Sequence, residues 1–268
     1  MADLREIDTH FPIREDDIAN FRSHGFVKLR LVLSRETFDH FTPEITAKVD
    51  ELNRQKLPLS ERSTYKKAFI QIINLWKVSE RVREFAFGRR LARMAAELLG
   101  TRGVRIYHDQ ALYKEPGGGF TPWHADQFYW PFTSEKCCTV WVPLQETPVE
   151  MGPLAFSKGS HRFEFGRNLN ISDESEEKIQ SALESEGYPN VQEAFDLGEV
   201  SFHYGWTFHR AEGNFTKRPR RAMTMIYMDI DTCLKEADNE HQKPEIWCPG
   251  VTVGDVIDTP VTPVLYSG

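Results

Sequence analysis

Three side chains in this sequence have the types and the spacing to share one metal ion. His124 and Asp126 lie in the stretch Gly119-Phe120-Thr121-Pro122-Trp123-His124-Ala125-Asp126-Gln127-Phe128-Tyr129-Trp130. On an extended backbone, side chains two residues apart point the same way, so an imidazole and a carboxylate share one side of the strand. His209 stands much later, in Trp206-Thr207-Phe208-His209-Arg210, at the end of an apolar run that reads as another strand of the same sheet. Two histidines and one carboxylate on one face of a metal, with the opposite face open, is the donor set expected of a non-haem Fe(II) oxygenase.

A His-x-Asp triplet alone is common by chance, and the segment after His209 makes it specific. An arginine, Arg220, stands at the start of the apolar segment Ala222-Met223-Thr224-Met225-Ile226-Tyr227-Met228. A guanidinium anchored at a strand start can clamp a carboxylate bidentately, which an ammonium does less well.

With these residues in view the sequence resembles the phytanoyl-CoA dioxygenase family of Fe(II)/2-oxoglutarate oxygenases. The matching pieces, in order, are Lys114-Glu115-Pro116-Gly117 leading into Trp123-His124-Ala125-Asp126, then Val140-Trp141-Val142-Pro143-Leu144, Met151-Gly152-Pro153-Leu154, Lys158-Gly159-Ser160-His161-Arg162, and the segment from His209 to Ala222. The resemblance implies a mainly β fold with helical additions: a double-stranded β-helix, the cupin-like jelly roll, with N-terminal helices. It also implies that His124, Asp126 and His209 bind Fe(II), that Arg220 holds the far carboxylate of 2-oxoglutarate, and that O2 is the second cosubstrate. Many relatives carry a serine two residues after the distal histidine, donating to that same carboxylate. Here the position is Ala211, and Thr139 or Trp141 is the expected replacement donor. Halogenating relatives have a small residue in place of the carboxylate ligand, so Asp126 argues for hydroxylation or a related oxidation.

The rest of the chain must position these groups. Residues 14 to 54 read as helical, with Ser34 a cap and Thr42-Pro43 a second helix start. Phe69 to Trp76 reads as a strand whose Gln71 and Asn74 face either a pocket or an edge. Ser79 to Gly100 reads as one helix, capped by Ser79 and ended by Gly100. From Val104 to Lys114 the period is that of a strand, with Ile106, His108, Gln110 and Leu112 on one face; its half-polar character suits a cavity wall and makes His108 and Gln110 cosubstrate-pocket candidates. Phe128, Tyr129 and Trp130 read either as a substrate wall or as a small core beneath the loop. Cys138 to Leu144 is the next strand, its Trp141 packing against the cosubstrate or filling the barrel. His161 is expected to close a turn outside the metal site. His203 is expected in a turn too, because reaching the metal from six residues before His209 needs a separate bend. Residues 166 to 190 carry an acidic helix opened at Ser172, a candidate lid.

At 268 residues one domain is expected, with residues 1–100 as helical support, 101–230 as the jelly-roll core and 231–268 as a weakly patterned tail. A net charge of -7 gives no basic face for a phosphate backbone, so nucleic acid is not an expected partner. No apolar run reaches membrane-spanning length and no leader pattern opens the chain. Cys137, Cys138, Cys233 and Cys248 lack metal-site spacing and read as reduced thiols, consistent with the cytoplasm. The functional expectation is hydroxylation of a small-molecule metabolite by a monomer or homodimer. The alternative is a jelly-roll Zn(II) hydrolase or a non-catalytic metal- or ligand-binding module on the same three ligands. Arg220 discriminates, since a zinc hydrolase needs no dicarboxylate clamp.

Overall fold

The computed structural model describes residues 4–268. Its first part alternates helices with strands that join a common sheet. A 3-10 turn leads to α1 (Glu15–His24), β1 (Phe26–Leu29) and α2 (Arg35–Leu52). The region expected to be helical thus contains a strand: Gly25, at φ +88°, ends α1 and turns the chain into β1. Ser34 does cap α2, accepting from the Thr37 N–H at 3.3 Å. Pro43 starts no helix; it sits inside α2, whose buried stripe Phe38, Phe41, Ile45 and Val49 carries the helix past the missing N–H.

Next come α3 (Thr64–Ala68) and β2 (Ile70–Ile73), a strand shorter than expected because Asn74 adopts the left-handed region at φ +58° and starts a 3-10 turn. The helix expected from Ser79 to Gly100 is two, α4 (Glu80–Ala86) and α5 (Arg89–Leu99). They part at Gly88, where a Cβ would come within 3.1 Å of both the backbone and the side chain of Ile7. Both predicted ends hold, with Ser79 capping α4 and Gly100 terminating α5 at φ +66°.

The remaining elements are β3 (Gly103–Lys114), β4 (Thr121–His124), β5 (Cys137–Pro143), β6 (Leu154–Ser157), α6 (Asp173–Ser185), β7 (Asn190–Gln192), β8 (Val200–Tyr204), β9 (His209–Ala211), β10 (Arg220–Asp229), α7 (Pro244–Trp247) and β11 (Val264–Ser267). They form two antiparallel sheets, β1-β8-β5-β10-β3-β11 with β2 also on β3, and β4-β9-β6-β7. This is the expected jelly roll. The segment after 230 is more than a tail, because β11 shares an edge of β3 with β2. No described helix is long and apolar enough to cross a membrane.

Period two divides the large sheet into a helix-facing and an inward face. Val140, Val142, Met223, Met225 and Tyr227 join the main core with Leu91, Met94, Ala95 and Leu98 of α5. Their neighbours Thr139, Trp141, Thr224 and Ile226 turn inward. Register then aligns Gln110, Thr224 and Trp141 in one row, and His108, Ile226, Thr139 and His203 in the next. A bulge at Tyr107 corrects the simple alternation of β3: Ile106 pairs with Tyr227 on the core side, while both Tyr107 and His108 border the cavity.

Candidate active site

The two histidines are brought together by β4 and β9, which pair so that His124 is directly opposite His209, with ring centroids 4.2 Å apart. Asp126 opens the 3-10 turn that succeeds β4, and the Gln127 N–H is held by the Gly205 carbonyl at 2.9 Å. One donor atom from each of His124, Asp126 and His209 lies within 4.8 Å of the others. Both Nε2 atoms face Asp126 Oδ1, at 3.6 Å from His124 and 3.7 Å from His209.

Each histidine is held from behind by a backbone carbonyl: His124 Nδ1 by Pro122 O at 2.7 Å and His209 Nδ1 by Thr207 O at 2.9 Å. A carbonyl only accepts, so each Nδ1 carries the proton and each Nε2 presents its lone pair inward. Burial pushes both imidazoles down to about 4, which keeps them neutral at neutral pH. For Asp126 burial acts to raise the carboxyl and the surrounding histidines act to lower it, with the net direction downward, and the hydrogen bonds it accepts from Thr139 and His203 favour the ionised form. Two neutral nitrogens and one carboxylate fit a divalent cation.

Behind this triad stands a residue that sequence alone places in a turn. His203 is buried at the end of β8, with Nε2 3.3 Å from Asp126 Oδ2 and its ring centroid 4.4 Å from that of His209. The separate bend this requires is made at Gly205, where a Cβ would lie 2.8 Å from the Gln127 side chain and 2.9 Å from Cys137 Sγ. There the chain crosses from the large sheet to the small one, so His203 and His209 meet across the interior. Thr139 donates its hydroxyl to the same Asp126 Oδ2 at 2.7 Å. That corrects its expected role, since its single O–H is already engaged and is not free for a cosubstrate carboxylate. His161 lies elsewhere, stacked on Tyr204.

The triad opens into a cavity of about 460 Å³. Arg220, Trp141, Thr224, Leu154, Ala211 and Leu112 line one part of it. Arg220 is 2 % exposed, donates to the Gly152 carbonyl at 3.1 Å and the Leu112 carbonyl at 3.3 Å, and stacks over Trp141. No described carboxylate pairs with it, and its Nε has no partner. Burial lowers this guanidinium to about 10, so it remains charged. A buried cation without a counter-anion is costly, and the site fits an anionic ligand beside it. Trp141 Nε1 and the Thr224 hydroxyl are also buried and unpartnered. With Ala211 in the serine position, these two rather than Thr139 are the free donors.

Gln110 and His108 line the cavity, and so do Tyr129 and Trp130, which also pack in a small core with Tyr107 and Phe132. Phe128 does not; its ring packs on Tyr129 and His241 instead. Gln71 lines the cavity and donates to Gln110 at 2.6 Å, while Asn74 is the turn residue. From the acidic insertion, Asn170 and Ile171 reach the cavity, while α6 packs Ile179 and Leu183 against Trp123 and Phe208. Sequence reasoning missed Thr224, Tyr65 and the tail residues His241, Lys243 and Trp247 altogether. For Thr224 a signal existed, its even spacing from Arg220 on one strand.

Comparison with known proteins agrees with this geometry. The family model described as phytanoyl-CoA dioxygenase matches residues 21–222. The chain belongs to the phytanoyl-CoA dioxygenase family. A probable alpha-ketoglutarate-dependent hypophosphite dioxygenase of Stutzerimonas stutzeri is 26% identical over 138 residues, 48% of this chain and 46% of that protein. The phytanoyl-CoA dioxygenase of Arabidopsis thaliana is 22% identical over 165 residues, 61% of this chain and 58% of that protein. The matches thus span about half the length of these curated relatives. The carbocyclase SnoK from nogalamycin biosynthesis shares the fold, with a TM-score of 0.78 at 21% identity, covering 94% of this chain and 96% of that one.

Proposed function

We infer that this member of the family hydroxylates an unactivated C–H bond of a small-molecule metabolite, with 2-oxoglutarate and O2 consumed and succinate and CO2 released. The observation that carries the reading is the pairing, in one cavity, of the His124–Asp126–His209 donor set with a buried, unpaired Arg220. When bound, Fe(II) and 2-oxoglutarate supply, with O2, an oxidant able to break such a bond.

The chain's own residues hold the parts in register. Pro122 and Thr207 carbonyls fix the tautomers of His124 and His209. Thr139 and His203 both engage Asp126 Oδ2, leaving Oδ1 aimed between the two imidazoles. A carboxylate tethered by one oxygen serves as a one-oxygen ligand, which keeps the opposite positions open. Arg220 receives the far carboxylate of 2-oxoglutarate, with Trp141 and Thr224 as added donors. Tyr129, Trp130 and Trp247 limit water around the reacting bond. The unpaired guanidinium argues against the zinc-hydrolase reading, which gives it nothing to do. Four free cysteines accord with a reducing cytoplasm, and action as a monomer or homodimer needs no residue from outside this cavity.

The test is succinate release from 2-oxoglutarate under air, with Fe(II) or Zn(II) supplied to metal-free protein. The reading expects succinate with Fe(II) alone, and far less from Arg220→Ala at equal 2-oxoglutarate. Ester hydrolysis with Zn(II) and no succinate with Fe(II) would replace it with the hydrolase.

A further inference from the structure

Beyond the His124–Asp126–His209 triad, the cavity is also lined by Tyr65, Phe69, Tyr129, Trp247, His241 and Lys243. Its charge is unbalanced in a telling way. Acidic residues outnumber basic ones by 40 to 33 in this chain, yet among the described residues the only carboxylate lining the cavity is Asp126, against two fixed cations, Arg220 and Lys243. If the reading above holds, the formal charges of Fe(II), Asp126, 2-oxoglutarate and Arg220 cancel. Lys243, a solvent-exposed residue that also lines the cavity, is the remaining cation, and among the described residues no carboxylate lies within 4.0 Å of its ammonium.

The strap that carries Lys243 is tied to the site on both sides of it. Just before it, the side chains of Asn239 and Gln242 both donate to the Phe128 carbonyl, at 3.0 and 2.8 Å, tying this strap to the loop after Asp126. Just after it, the Trp247 ring lies 5.2 Å from His108 and 6.0 Å from Tyr107. The Tyr107 hydroxyl and His108 Nδ1 are buried polar atoms without partners, which is costly unless a ligand meets them.

We propose that the substrate is a carboxylic acid with a ring-sized apolar body, its carboxylate paired with Lys243 and its body held among Tyr65, Phe69, Tyr129 and Trp247. A single ammonium matches a monoanion; a phosphoryl dianion calls for an arginine fork, which this part of the cavity lacks. A cationic substrate would find no free carboxylate and would meet Lys243 with like charge. The strap carrying Lys243 is thus a specificity element, selecting acids of this kind from neutral and cationic look-alikes.

The test uses three probes of one shape, 2-naphthoate, 2-naphthamide and 2-naphthylmethylammonium. Each is titrated calorimetrically, without oxygen, into protein saturated with Fe(II) and 2-oxoglutarate, while the visible chelate band is monitored. The proposal expects naphthoate to bind about tenfold tighter than the amide, the ammonium most weakly, and the preference to fade with salt. Lys243→Met removes the preference and leaves amide binding within about twofold. Equal or tighter binding of the ammonium, an unchanged preference in Lys243→Met, or no binding by any probe while the band persists overturns it. So does loss of the band on adding naphthoate, which would show the acid taking the place of 2-oxoglutarate. Failure of the band to form before any probe is added instead faults the oxygenase reading.

Discussion

The two sheets carry the two halves of the site, and they are built differently. His124 and His209 stand on strands of four and three residues, with a register shift between them, whereas Arg220 stands on a ten-residue strand paired along both edges. A long central strand fixes its side chains by its own ladder. Short strands do not, and the small sheet is braced from outside instead. Glu176 of α6 accepts from the Trp123 N–H at 2.8 Å and pairs with Arg210 at 2.8 Å, tying β4 and β9 to one carboxylate. The proposed anion clamp is thus inherited from the sheet, while the candidate metal ligands depend on side-chain braces.

That contrast can be broken from the clamp side first. Arg220→Ala should weaken 2-oxoglutarate binding by about two orders of magnitude, read by calorimetry, because a buried charged hydrogen-bonding partner is removed. Fe(II) affinity should change little, and an equal loss of both would mean that the halves are not independent. On the ligand side, Thr139→Val keeps the branched shape and deletes the hydroxyl held on Asp126. It should cost about tenfold in Fe(II) affinity with little change in the metal-free melting temperature.

The brace sharpens the comparison further. Glu176→Ala should lower the melting temperature by about 5 °C, from roughly 2 kcal/mol of lost hydrogen bond and part-buried ion pair. It should also weaken Fe(II) binding, whereas an effect on 2-oxoglutarate alone would place α6 in the wrong half. The smallest effect belongs to the outer face of β3. Burial raises the Asp109 carboxyl to about 7, above an ordinary value of 3.8. The folded chain therefore holds this proton more tightly than the unfolded one. Its stabilising contribution is present at low pH and is lost as pH rises through that interval. Asp109→Asn should flatten the dependence, melting about 3 °C above the parent at pH 8 and closer to it at pH 5.

The legible parts of this molecule were those with local causes. His124 and Asp126 could be read together because two residues of extended chain put them on one side, and Arg220 because it opens an apolar strand. Ser34, Ser79 and Gly100 were legible as caps because capping is decided within a turn. What escaped is decided by register and crossover. Thr139 and His203 meet on Asp126 because β5 and β8 pair at those residues, and because Gly205 lets the chain change sheets. Nothing near either residue in sequence announces that. The bulge at Tyr107 is set by pairing with β10, and it undid a simple alternation. The strap from His241 to Trp247 lacks periodicity because it packs through single side chains onto a distant loop.

The central claim is that one cavity holds an Fe(II)-binding triad and a 2-oxoglutarate clamp at once. Its most direct test is an anaerobic titration of metal-free protein with Fe(II) and then 2-oxoglutarate, monitored in the visible range. The account predicts a charge-transfer band that appears only with both present, saturates at one equivalent of each, and in Arg220→Ala needs far more 2-oxoglutarate. No band at any 2-oxoglutarate concentration, with Fe(II) demonstrably bound, would contradict it.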